Sequence, residues 1–288
     1  MTADAASHGK RSHFDALHGL RGVAALMVLL THFNLYTGNK LNLGLSASLA
    51  VDLFFLLSGL VIAHAYDAKF RQGMTFAQFS EARLIRLYPL YALSLAIALA
   101  GVLFVVLREG IGSYSRLNLF ASSAFSGLFL PTPSAISVEA TTLFPFNGPT
   151  WSLFWELIAN AVFAAFALKL KSRELLVIVA VSFGFLLYFA ISGVPLDGGA
   201  HWEGAMLGPA RVGFSFFLGV YFCRHWMAPS KSGNILMLML ALVCCIVMWI
   251  RLGFFGGFYD LLVIVAIWPA IVLILARVSL SGDRKSTL

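Results

Sequence analysis

Apolar stretches near the length of a bilayer recur along this chain from end to end, and no soluble fold could bury them all. They lie at 17–36, 47–67, 84–107, 150–168, 174–192, 208–223, 234–250 and 256–276. About 20 largely apolar residues suffice for a helix to cross the hydrocarbon core. Inside lipid every backbone N–H and C=O must be paired within the segment, which makes each stretch a helix. Hydrophobic residues make up 60% of the 288 and charged residues 11%, against about a quarter charged in soluble domains. The expectation is an all-α, polytopic transmembrane helix bundle of eight spans. A further apolar piece, 117–130, is rich in Ser and Gly; its length suits a re-entrant or interfacial segment better than a span.

Charge orients the bundle. Lys10, Arg11 and Arg21 precede or open the first span, and Lys69, Arg71, Arg83 and Arg86 fall around the turn between the second and third. Lys169, Lys171 and Arg173 follow the fourth, Arg224 and Lys231 the sixth, and Arg277, Arg284 and Lys285 the eighth. With 117–130 not crossing, all these clusters share one face, which the positive-inside rule makes cytosolic. Both termini are then cytosolic. The expected organisation is a lead-in at 1–16, a transmembrane domain at 17–277 and a tail at 278–288. The lead-in lacks the short apolar core and cleavage site of a signal peptide, and reads as retained. The loops 37–46, 108–149 and 193–207 fall outside. Four prolines, Pro131, Pro133, Pro145 and Pro149, predict irregular structure in the long loop, and a loop of that length often forms a lid or binding surface.

The net charge of +7 suggests nucleic acid only until its distribution is considered, because the basic residues sit in short clusters between spans; no nucleic-acid partner is expected. Cys223, Cys244 and Cys245 have neither metal-ligand spacing nor a disulfide framework and read as packing residues. No metal is expected.

Polar groups within spans are costly and mark function or pairing. Arg21 opens the first span and His32 lies 11 residues on, about 16 Å along a helix. By the expected topology His32, Asp52 and Glu156 share a layer near the outer surface, while Arg21, Arg83 and Arg86 mark the cytosolic ends. Arg83 and Arg86, three apart, share a helix face; they are either interfacial anchors or a paired phosphate ligand. His32 is either a packing imidazole or a general base, and Asp52 either caps its helix or acts with it. Glu156 demands a partner at its depth. His64 reads as packing or interfacial. Arg211 is either a snorkelling anchor or a substrate contact. Gly22, Gly59 and Gly219 permit close helix approach.

Four stretches in register are similar to the membrane-bound acyltransferase-3 family of bacterial O-acyltransferases. GLRGVAALMVLLTH carries the arginine, ten residues, then histidine at Arg21 and His32. AVDLFFLLSGLVIAHAY carries the Asp-Leu-Phe-Phe and Ser-Gly pattern at Asp52, Phe54, Phe55, Ser58 and Gly59. RLIRLYPLY holds Arg83, Arg86, Tyr88 and Pro89. GPTWSLFWEL holds Trp151, Ser152 and Glu156, and GPARVGFSFFLGV is a looser match through Arg211 and Gly219. His18 stands where many members have aspartate, Phe154 and Trp155 replace smaller residues, and the resemblance implies two further helices beyond Leu288.

The resemblance implies an acyl-coenzyme A donor, usually acetyl-coenzyme A, used from the cytosol. It implies an acceptor hydroxyl on an extracytoplasmic glycan or lipid-linked sugar, and a place in the bacterial cytoplasmic membrane. Coenzyme A phosphates would meet Arg21, Arg83 and Arg86, and the acceptor side would involve Trp151, Ser152 and Arg211. His32 would be the general base, with Asp52 or Glu156 orienting its ring; a covalent acyl-histidine is the other route. Two rival classes are a transporter or flippase using His32, Asp52 and Glu156 as a proton relay, and a non-catalytic subunit of envelope polysaccharide assembly. Acyl-coenzyme A consumption separates both from the enzyme.

Overall fold

The computed structural model describes residues 15–38, 47–110, 115–226, 231–232, 234–249, 256–276 and 278–279. The lead-in through residue 14, most of the 37–46 loop and nearly all of the tail lie outside these, with Lys10, Arg11, Arg277, Arg284 and Lys285.

The described chain is helical apart from one two-residue parallel pairing, Lys231–Ser232 with Val278–Ser279. The helices are α1 (Asp15–Tyr36), α2 (Ala47–Arg71), α3 (Phe76–Glu109), α4 (Arg116–Gly127), α5 (Thr150–Phe166), α6 (Ser172–Ile191), α7 (Leu207–His225) and α8 (Asn234–Trp249). Then α9 (Gly256–Leu262) runs through a π-helical turn (Val263–Ile267) into α10 (Trp268–Leu275). Four helical stretches are long and apolar enough to cross a membrane: Ser48–Arg71, Phe76–Glu109, Ser172–Ile191 and Gly257–Leu275. The remaining expected spans are also helical. Of these α5 and α8 are shorter, with 17 and 16 residues, and α1 carries Arg21, His32 and Asn34.

The third expected span, 84–107, begins eight residues earlier than its apolar run. A capping box explains the early start: Thr75 Oγ1 accepts from the Gln78 N–H, and the Gln78 side chain accepts from the Thr75 N–H at 2.9 Å. Reciprocal capping satisfies two orphan donors of the first turn, so Arg83 and Arg86 stand two and three turns inside the helix. Pro89 lies within α3 and removes the hydrogen bond to Ile85, one turn past Arg86. Similarly Pro269 follows the π turn, the type of irregularity that lets a helix pass a proline.

The chain divides into two compact units. The first comprises Met1–Ala65, Ser172–Asp197 and Gly213–Leu288; the second comprises Tyr66–Lys171 and Gly198–Val212. In the first, α2 packs on α7 at backbone distance. A Cβ on Gly59 would stand 1.9 Å from the Phe216 carbonyl oxygen, and one on Gly219 2.1 Å from that of Leu56. The two glycines therefore do what small residues do in membrane bundles. Trp268 is 1% exposed, and its indole N–H donates to the Leu49 carbonyl at 2.8 Å, tying α10 to the start of α2. The helix α1 packs against α8 and α10.

In the second unit α3 and α5 pack together, and α4 docks by its C-terminal end. Tyr88 donates to the Gly127 carbonyl at 2.8 Å and Tyr91 to that of Ser126. Phe129 follows with a positive φ of 59°, costly for a non-glycine residue. Its ring lies among Tyr91, Phe144 and Phe154, which supplies packing to hold it. The proline-bearing loop is irregular as expected, yet pinned: Leu143 N–H donates to Ala200 O and Trp202 N–H to Thr141 O, both at 2.9 Å.

Candidate active site

On α1, Arg21 and His32 are both half-buried. Eleven residues turn a helix through three turns plus about 20°, so the two side chains share one face about 16 Å apart. The His32 ring is held from its own helix: Nδ1 lies 2.8 Å from the Val28 carbonyl oxygen. A carbonyl only accepts, so Nδ1 is the donor in this bond, which leaves Nε2 as the ring nitrogen open to an outside partner. The Nδ1 position of the ring is thus taken by the Val28 carbonyl.

Asp52 is 1% exposed, on the face of α2 that buries Leu49, Leu53, Leu56 and Leu60. With the helix starting at Ala47, Asp52 falls in its second turn, which removes the capping reading. Its carboxylate is engaged by its surroundings.

The second unit corrects the expected layering. Arg83 Nη2 lies 3.5 Å from Glu156 Oε1, and the two side chains are 6% and 17% exposed. Arg83 and Glu156 therefore stand at one level, where the sequence suggested opposite ends of the membrane. Helix rise gives that level. Residues 87–107 of α3 carry no charge; they form about 31 Å of helix, close to the hydrocarbon thickness. Arg86 and Arg108 bound this run, and Arg83 lies one turn beyond Arg86. Glu156 thus belongs with the Arg83 end. The preceding loop reaches along α3: Asn147 Nδ2 donates to Ser94 Oγ at 3.0 Å, about 12 Å along α3 from Arg86. The carboxylate enters α5 from this depth and meets a guanidinium, which is how a buried charge becomes tolerable.

Arg211 is fully buried and does not snorkel. Its Nη1 donates to the Gly198 carbonyl at 2.8 Å, and its guanidinium lies 5.2 Å over the Trp151 ring. Beside them Gly199 has φ +131°, and a Cβ there would fall 2.4 Å from Trp151. Arg211 and Trp151 thus pack against each other beside the turn that begins at Gly198. Ser152 donates only to the Pro149 carbonyl, at 3.0 Å, a bond within its own turn. Among the described residues Arg86 makes no ion pair and is exposed.

Arg86 lines a cavity of about 330 Å³ with Tyr91, Ser94, Asn147 and Thr150, walled by Leu87, Leu90 and Leu153. Ser94, Asn147 and Thr150 were not singled out from the sequence. A lone serine in an otherwise apolar helical run was the available signal for Ser94. Thr150, between Pro149 and Trp151, reads as an ordinary helix start.

The profile of a family described as an acyltransferase domain, acyltransferase-3, matches residues 14–286. "Protein 2 in picA locus" of Rhizobium radiobacter is 39% identical over 184 residues, covering 61% of this chain and 94% of that protein. "Acyltransferase MdmB" of Streptomyces mycarofaciens is 32% identical over 154 residues, covering 49% of this chain and only 36% of that protein. No solved structure matches at a significant level. With apolar helices long enough to cross a bilayer and a family match over nearly its whole length, the chain belongs to the acyltransferase-3 family and is a multi-pass membrane acyltransferase.

Proposed function

We propose that the chain transfers an acyl group, acetyl in the simplest case, from cytosolic acyl-coenzyme A to a hydroxyl of an extracytoplasmic glycan or lipid-linked sugar. In this reading it crosses the bacterial cytoplasmic membrane eight times with both termini in the cytosol. The observation that carries the reading is His32, whose Nδ1 is held by the Val28 carbonyl on the helix face that also bears Arg21. With Nδ1 engaged as the donor, Nε2 is the basic atom.

His32 Nε2 takes the proton of the acceptor hydroxyl as its oxygen attacks the thioester carbonyl. The tetrahedral intermediate collapses, the C–S bond breaks, and the coenzyme A thiolate recovers the proton from the imidazolium. The Val28 carbonyl keeps the ring oriented and stabilises the charged form through the bond at Nδ1, as an orienting acceptor does in nucleophile–base systems. Arg21, on the His32 face of α1, supplies positive charge for the donor's phosphates. Arg83 pairs with Glu156 and holds it in place, so both act as positioning residues. The pairing of Asn147 with Ser94 and of Gly127 with Tyr88 supports a re-entrant 117–130 segment; α5 then completes a crossing that the loop has begun.

The test is radiolabelled acetyl-coenzyme A supplied to purified protein in vesicles with candidate glycan acceptors. Transfer by the native chain and its loss in His32→Ala are expected. Substrate flux without acyl-coenzyme A consumption would overturn the reading in favour of a transporter.

A further inference from the structure

Apart from the groups already assigned to the chemistry, the first unit carries a second pairing of a nucleophile with a base. Ser172 opens α6 and His225 closes α7, and both are exposed. Ser172 Oγ lies 2.7 Å from His225 Nε2. The other ring nitrogen, Nδ1, lies 2.9 Å from the Tyr221 carbonyl oxygen. A carbonyl only accepts, so Nδ1 is the donor there, and on the neutral ring Nε2 accepts from the Ser172 hydroxyl. The Tyr221 ring stacks on the imidazole, with centroids 4.2 Å apart and planes 18° apart. The imidazole is thus held at both nitrogens and on one face.

A structural tie between two helix ends does not need this arrangement. Between exposed groups a hydrogen bond adds little net stability, because water serves both partners nearly as well. The order of hydroxyl, imidazole and fixed acceptor is instead that of a nucleophile, its base and an orienter. The surroundings suit an acyl group on an anionic carrier: Arg173 follows the serine and Arg224 precedes the histidine. The N–H groups in the first turn of a helix have no acceptor within it, so α6 offers donors beside Ser172 for a developing oxyanion. The stacked Tyr221 face favours the imidazolium once it forms.

We propose that Ser172 and His225 form a second acyl-transfer site, which passes the acyl group of a thioester or activated ester to water. Ser172 Oγ attacks the acyl carbonyl carbon as its proton passes to His225 Nε2. The tetrahedral intermediate collapses, the bond to the leaving sulfur or oxygen breaks, and the leaving group takes the proton from the imidazolium. Water then attacks the O-acylserine and gives a proton to Nε2. The bond between the acyl carbon and Oγ breaks, Ser172 recovers that proton, and a carboxylic acid departs. This activity needs no glycan acceptor and uses neither Arg21 nor His32.

The probe is a fluorophosphonate, which labels activated serines and requires neither coenzyme A nor a glycan. On the purified full chain in detergent, the label should appear on the peptide bearing Ser172 and vanish in Ser172→Ala. His225→Gln keeps a polar partner for the hydroxyl but removes the base. It should slow labelling per folded molecule about 10²- to 10⁴-fold, with the melting temperature held. Hydrolysis of p-nitrophenyl acetate should fall in both variants. Absence of label on native Ser172, equal labelling rates in native and His225→Gln protein, or ester hydrolysis no faster than in Ser172→Ala overturns the inference. Glycan acylation by a protein whose Ser172 stays unlabelled overturns it and spares the proposed function. Labelling and ester hydrolysis at Ser172 without glycan acylation support it and count against that function.

Discussion

The helix α1 and the α3–α5 pair carry the same kinds of costly polar residue, and satisfy them in opposite ways. On α1 the bonds are local: His32 bonds Val28 and Thr31 bonds Met27, each one turn back. Between α3 and α5 the bonds run between distant parts of the sequence: Arg83 to Glu156 and Asn147 to Ser94. A residue satisfied within its own helix can be replaced without disturbing its neighbours. A residue satisfied by a partner elsewhere leaves that partner stranded. Function should therefore be separable from stability on α1, and much less so between α3 and α5.

The sharpest check of that contrast is His32→Ala. Loss of a general base costs about 10²- to 10⁴-fold in rate, while the melting temperature should hold, because only one intrahelical bond is lost. A large drop in melting temperature would show that the ring is structural. Between α3 and α5 the expected order reverses. Glu156→Ala leaves a buried guanidinium uncompensated, at about 3–5 kcal/mol; thermal denaturation in detergent should show it. Replacing both, Arg83→Met with Glu156→Leu, should recover much of that loss. If Glu156→Ala were fully stable and merely inactive, the carboxylate's work would be chemical.

Gly59→Ala tests a purely steric contact in the first unit. Its Cβ would overlap the Phe216 carbonyl, which forces α2 and α7 apart, at about 1–3 kcal/mol. Activity should fall only with the folded fraction. The smallest effect is expected for Ser152→Ala. Its hydroxyl bonds the Pro149 carbonyl three residues back, so stability should change by less than about 0.5 kcal/mol. A marked change in acceptor affinity, measured as KM with kcat intact, would give Ser152 the acceptor role that the family resemblance suggests.

The sequence by itself determined the all-helical membrane class, because apolar length and backbone satisfaction are properties of a segment alone. It also determined the face shared by Arg21 and His32, since helix periodicity needs no knowledge of neighbours. Of the three glycines it marked for close approach, Gly59 and Gly219 are such points, while a Cβ on Gly22 would meet nothing within 4 Å among the described residues; what they approach was left open. The long loop's irregularity was legible from its prolines; its depth was not. Only the tertiary structure decided that Asn147 reaches Ser94, so that α5 starts well inside the level of Arg86 and Glu156 meets Arg83. Topology read from charge assigns depth by counting residues from a surface, which fails where a loop runs back along a helix, as Asn147 does to Ser94. Arg211 likewise could not be resolved from its position in α7. Its burial over Trp151 and its bond to Gly198 depend on two segments far from it in sequence, and polar pairs of that kind are chosen by packing rather than by any local pattern.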